Sequence, residues 1–165
     1  MADGEIKTGL VRNRRKVRYS TLDEMLADAQ RIADADRAGR LVRLGNWTAG
    51  QAFGHVATWI DYGYDGYPMS PPLFIKVVGR VIKALVLKRG VPAGAKFRGV
   101  EGGTFACEPV PLETGLAHLR TAAQRLAAQS PAKPNPVFGK LTHAQWIALH
   151  LRHAELHLSF LVPPL

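Results

Sequence analysis

Three histidines, His150, His153 and His157, fall within one strongly helical segment near the end of the chain. His153 and His157 form an H-x-x-x-H pair. Residues four apart on a helix stand one turn above each other, so both imidazoles reach a single point. Two neutral imidazoles on one face make half of a site for a transition metal. His55 lies far upstream, in the second turn of another candidate helix, and shares a face with Gln51, Trp59 and Tyr62 at i−4, i+4 and i+7. A polar ring among apolar positions needs a partner, and an ion shared with the last helix supplies one. His150 competes for the third position, since it stands one turn before His153. Three ligands from one helix would spread over two turns, ~10 Å of rise. That favours His55, His153 and His157 as ligands and leaves His150 with Gln51, Trp59, Tyr62 and Trp146 as pocket wall. His118 and His143 read as surface residues.

Three nitrogens around a divalent ion leave a coordination position open, the mark of a catalytic rather than a closed structural site. A water bound there has its pKa lowered toward neutrality; a small thiol would be held there as its thiolate. No carboxylate is securely placed as a general base. Asp61, Asp65, Glu101 and Glu108 are the candidates, the last two in an irregular segment that would have to fold over the site. There is no H-E-x-x-H motif, and Glu155 points ~200° away from His153 around the helix. Cys107 reads first as a small buried residue, and only second as a nucleophile or further ligand. Trp47, Trp59, Trp146 and Phe160 read as core, with Trp59 and Trp146 also facing the pocket. Affinity for a metal is expected to fall as pH drops through the ordinary histidine range.

The elements that must position these residues are helical. Thr21 with Glu24 begins a first helix in the pattern of a capping box, with Leu22, Met25, Leu26, Ala29, Ile32 and Ala33 at helical spacing and an end near Gly39. Thr48 and Gln51 repeat the pattern for the helix that carries His55, which ends before Tyr67-Pro68. Pro71-Pro72 suits the first turn of a third helix. That helix has Leu73, Val77, Val81, Ala84 and Leu85 on one side and Lys76, Arg80, Lys83 and Lys88 on the other. Residues 90–111 have no clear period and form a long irregular segment. A fourth helix follows from Leu112 to Gln129, then a proline-rich loop, then the histidine helix from Thr142 to about Leu161. Residues 1–19 read as a basic arm (Arg12, Arg14, Arg15, Lys16, Arg18) ahead of a single domain over residues 20–165. The fold class is all-α, a bundle of four main helices with one accessory basic helix.

Composition narrows the setting. The chain has 165 residues, 47% of them hydrophobic, with a formal charge of +9, enough for one compact domain with a sizeable core. Its single cysteine excludes an internal disulfide and fits a reducing compartment. The polar, basic N-terminus has no apolar run of the secretory kind, so a cytoplasmic location is expected. The apolar stretch Leu73 to Leu87 is broken by Lys76, Arg80 and Lys83 and does not read as a membrane span. The basic clusters open a second line, contact with nucleic acid or an anionic membrane. The ordinary reading of such charge is a solvated helix face and a disordered arm, and no nucleic-acid motif accompanies it.

Asn46-Trp47-Thr48-Ala49-Gly50-Gln51-Ala52-Phe53-Gly54-His55 and Leu149-His150-Leu151-Arg152-His153-Ala154-Glu155-Leu156-His157 resemble the second helix and the late H-x-x-x-H of the DinB/YfiT-like superfamily of metal-binding bundles. The resemblance spans the chain from about residue 20. The basic accessory helix and the Phe138-Gly139-Lys140-Leu141 lead-in look like an uncharacterised branch of that superfamily. The resemblance implies an up-down-down-up four-helix bundle with a three-histidine site for a divalent ion, usually zinc or nickel, at His55, His153 and His157. It also implies a range of activities: thiol-cofactor-dependent transferases and isomerases, metal-dependent hydrolases, and many members of unknown activity; a non-catalytic metal-binding or stress-response bundle is the alternative reading. Relatives often follow the last histidine with Arg-Gly-Gln, where this chain has Leu158-Ser159-Phe160, so no one relative's reaction carries over. The expectation is a metal-dependent transferase or hydrolase with a small-molecule substrate, with homodimer formation left open.

Overall fold

The structure is a computed structural model and describes residues 6–94 and 104–164. Five helices make up most of it: α1 (Leu22–Arg37), α2 (Ala49–Asp65), α3 (Leu73–Arg89), α4 (Leu112–Ala128) and α5 (His143–Leu158). Side-chain caps set where three of them start. Thr48 with Gln51 and Thr142 with Gln145 close complete capping boxes on α2 and α5. Thr21 accepts from the Glu24 amide, while Glu24 reaches past it to the Ser20 amide at 2.6 Å. Each cap satisfies helix-end donors that would otherwise lack partners. The last helix ends at Leu158, short of the expected Leu161. Leu161–Val162 leave it as a strand, β2, that pairs antiparallel with β1 (Val42–Arg43). Two-residue strands have no periodicity to read, so this ribbon was not expected.

Helices α1, α2, α4 and α5 pack on one another as an all-α bundle. Met25, Ile32, Phe53, Ile60, Leu119, Leu126 and Leu158 fill its centre, fully buried. The closest approach is backbone on backbone, where α2 crosses α4. A methyl group added at Gly115 would land on the Gly50 carbonyl, and one added at Gly50 would land on the Val110 carbonyl. The missing side chains let α2 sit deep in the bundle, which fixes the height of His55 relative to α5.

Two expectations about the basic segments are corrected. The described part of the arm is not loose. Arg15 makes a two-pronged ion pair with Asp28 at 2.9 and 2.8 Å and donates to the Leu158 carbonyl. Tyr19 is buried, donates its hydroxyl to Asp28 at 2.5 Å and gives its amide to Glu155 at 2.7 Å. Burial works against ionisation of Asp28, but the hydrogen bonds from Arg15 and Tyr19 outweigh it and hold its carboxyl below the usual range. The second correction concerns α3, where only Gly79 and Val86 are buried. Gly79 rests on Val137, where a side chain would clash. Half-buried Lys83 donates to the Lys140 carbonyl at 3.4 Å. The inward side is thus the one next to the cations, and the apolar side faces solvent. Among the described residues no helix is long and apolar enough to cross a membrane.

Candidate metal centre

Helices α2 and α5 lie side by side, and the three histidines meet between them. Nε2 of His55 lies 3.1 Å from Nε2 of His153, and Nε2 of His157 lies 3.1 Å from that same atom. One ligand atom from each of the three lies within 4.8 Å of the other two. A tetrahedral zinc ion with bonds of ~2.0–2.1 Å would separate neighbouring nitrogens by about 3.3 Å, so the observed set fits such an ion with small adjustments. His55 is also held in the required tautomer. Its Nδ1–H donates to the Ala106 carbonyl at 3.1 Å, which leaves the Nε2 lone pair turned toward the other rings. Such an outer hydrogen bond is the usual means by which a ligating imidazole is oriented.

That hydrogen bond is one of three in a row. Gln51 donates to the Cys107 carbonyl at 3.2 Å, His55 to Ala106, and the Trp59 indole to Phe105 at 3.5 Å. Side chains one turn apart on α2 therefore take three successive carbonyls of the segment before α4. Ala106 adopts φ 56° to present its oxygen. For a residue with a side chain this left-handed conformation costs ~1–2 kcal/mol, and such strain concentrates at functional sites. Residues 105–107 of the irregular segment do cross the site, and they do so with their backbone carbonyls. Glu108 is exposed, and Glu101 lies outside the described residues.

All three rings are neutral at neutral pH. Burial pushes His55 down to about 4, partly opposed by the Ala106 and Phe105 carbonyls and the charge of Glu108. His153 and His157 are pushed well below the ordinary value by burial and by repulsion from the neighbouring rings. The pH at which protons compete for the ligand atoms therefore lies well under the ordinary histidine range, contrary to the expectation from residue type. Aromatic rings enclose the cluster. Trp47, expected in the core, stacks on His157 at 4.9 Å with 10° between planes and leans on His55 at 4.7 Å. Its place just before the Thr48 cap, where apolar residues often brace the start of a helix, and its place in the segment that carries the family resemblance were the available signals.

A cavity of about 510 Å³ opens beside the cluster, with Trp59, Tyr67, Leu149, His150, Ile75 and Val86 among its walls. Such a size and a mainly apolar wall suit a small molecule. His150 is buried, stacks on Trp146 at 5.9 Å, and has no hydrogen-bond partner among the described residues at either ring nitrogen. Burial pushes it down to about 3. Of the expected wall residues, Trp59 and His150 line the cavity, whereas Gln51, Tyr62 and Trp146 are not among its lining residues. Gln51 is used by its cap and by Cys107. Tyr62 packs edge-on against Trp59, and Trp146 belongs to the core. Phe160, expected in the core, lines the cavity and carries the Arg14 guanidinium over its ring at 4.7 Å.

The remaining candidates are engaged elsewhere. Asp61 and Asp65 pair with Arg125, and Asp61 also with His118 at 2.7 Å. His143, half-buried, donates to the Leu126 carbonyl at 2.6 Å. Glu155 ties Arg152, Arg18 and the Tyr19 amide together. Cys107 is half-buried, and it is its carbonyl that Gln51 engages.

No curated protein and no solved structure matches the chain. A family model described as a protein of unknown function, DUF1569, matches residues 11–164, from within the docked basic arm to the last described residue. The chain, with its enclosed triad of imidazoles, thus belongs to the DUF1569 family.

Proposed function

We propose that the chain is a metal-dependent enzyme of the transferase or hydrolase type, DinB-like in fold, acting on a small molecule held in the cavity beside His55, His153 and His157. The observation that carries this reading is the convergence of three neutral Nε2 atoms, one of them fixed in tautomer by the Ala106 carbonyl. The three histidines would hold the ion, with zinc or nickel the choices that suit imidazole donors. When bound, a divalent ion at a three-histidine site supplies Lewis acidity at an open position. The chain's own residues supply the rest. Trp47 and Trp59 pack their rings against the cluster. His150, neutral and without a partner among the described residues, offers one donor and one acceptor at the cavity wall. The carboxylates Asp61 and Asp65 are committed to Arg125, which leaves Glu108, whose charge acts on His55, as the described candidate for a base; attack by a small thiol cofactor would need none. Metal content of the purified protein tests the ligand set. Wild type should hold about one equivalent and His153→Ala far less, and equal contents would overturn it. Metal-loaded protein inert toward panels of thiol-dependent and hydrolytic substrates would point instead to a non-catalytic binding bundle.

A further inference from the structure

Eight of the twelve exposed large apolar side chains among the described residues belong to α3. They are not scattered. At ~100° per residue, Leu73, Val77, Val81, Phe74, Leu85 and Val78 fill one continuous arc of about 140° on the solvent side. Val81, near the middle of that arc, is 78% exposed, and Leu73 at its edge is 73% exposed. An apolar patch of this kind on a soluble surface marks an interaction site.

The charge around the patch says what kind. Arg80 runs along one edge of the arc, and Lys88 and Arg89 close its C-terminal end, all three exposed. Residues 66–100 contain no aspartate or glutamate. One residue of the arm reaches the same end: exposed Arg18 donates to the Lys88 carbonyl at 2.7 Å. Cations of α3, joined at its C-terminal end by Arg18, which also pairs with Glu155 at 3.3 Å, therefore border one apolar helix face, on a chain of formal charge +9.

We propose that α3 docks the protein on an anionic lipid bilayer, lying in the plane of the surface with its apolar arc in the acyl boundary and its cations among the headgroups. This is the physical form of an interfacial helix. A second copy fits less well. A two-fold contact sets the same patch against itself, and α3 would meet its own cations with no carboxylate to neutralise them. Nucleic acid would use the cations and leave the apolar arc in water. The inner side of α3 contributes Ile75 and Val86 to the cavity, so docking would bring that cavity next to the bilayer. The inference stands apart from metal binding, and its test does not use activity.

The test is co-sedimentation of the full chain with sucrose-loaded vesicles, of phosphatidylcholine alone or with about one third phosphatidylglycerol. Wild type should pellet with the anionic vesicles, weakly with the neutral ones, and less as salt rises. The double variant Val77→Asp, Val81→Asp should partition at least about tenfold more weakly while keeping its helical circular dichroism. Both positions are exposed, so the variant does not disturb the core. Independently, Phe74→Trp should be quenched by lipids brominated along the acyl chain. Absence of vesicle binding, equal binding to neutral vesicles, or no quenching of the Phe74→Trp protein would overturn the proposal. So would a wild-type dimer that the aspartate pair dissociates, or retention on duplex DNA that the same pair abolishes.

Discussion

His153 is the centre of the triad, 3.1 Å from each of the other two nitrogens, and its removal gives the most decisive measurement. Binding to the folded state alone raises stability by about 2.7 kcal/mol when the free ion stands at a hundred times its dissociation constant. For a domain of this size each kcal/mol moves the melting temperature by ~2–4 °C, so zinc should raise that of wild type by about 5–11 °C. His153→Ala leaves one nitrogen on each of two helices. Losing only an outer hydrogen bond to a ligand costs roughly 10–100-fold in affinity, and losing a ligand costs at least the upper end of that range. At the same free zinc the variant then sits near its dissociation constant and gains about 0.4 kcal/mol, or ~1 °C. Comparing each protein with and without zinc cancels the packing cost of the truncation. The assay is thermal unfolding with zinc buffered by a chelator. Equal zinc-induced shifts in both proteins would refute the assignment. The wild-type shift should also persist at about pH 5.5, because burial holds His55 at about 4 in the folded protein. A shift that vanished between pH 7 and 6 would show that the rings are not buried as described.

Four further outcomes follow from the packing. Gly115→Ala, which drives a methyl onto the Gly50 carbonyl, should cost about 3 kcal/mol or more in urea unfolding; a neutral result would deny the close crossing of α2 and α4. Ala106→Gly removes left-handed strain at φ 56° against the entropic cost of glycine, for a net gain of up to about 1 kcal/mol, and a clear loss of stability would refute the strain. His150→Phe bears on acid sensitivity. His150 takes a proton near 6.5 when unfolded but only near about 3 when folded, so its contribution to stability is complete above 6.5 and is lost as pH falls toward 3. Its share of the slope approaches ~1.4 kcal/mol per pH unit, and the variant should unfold at lower pH with a shallower dependence; an unchanged slope would count against burial of the ring. Asp28→Ala leaves Arg15 and the Tyr19 hydroxyl without their acceptor and should cost about 3 kcal/mol by chemical denaturation, while a near-neutral effect would show that the arm is not held by this carboxylate.

The gathering of the histidines was legible because two local signals agree. Capping boxes fix where α2 and α5 begin, and so set the phase at which His55, His153 and His157 emerge. What was not legible depended on contacts between elements. Periodicity separates the two sides of α3 but does not say which side turns inward, and Gly79 on Val137 decides that. The roles of Gln51 and Trp59 depend on carbonyls of residues 105–107, a stretch without period. The depressed titration of the rings comes from burial, which residue type does not report. Trp47 packs against the core as well as on His157, whereas Phe160 lies just past the end of α5, where an aromatic residue packs in either setting and only the cavity shows it to be a wall.

The hydrogen bond from His55 to Ala106 would make ion occupancy at the proposed site and the posture of residues 105–107 a single equilibrium. A group that coordinates the far nitrogen of His55 strengthens the near nitrogen as a donor, and so tightens its grip on the strained carbonyl. By reciprocity, anything that draws residues 105–107 away from α2 loosens the ligand cluster by the same free energy. The stretch leading into α4 would then be both a gauge of what the histidines hold and a lever upon it.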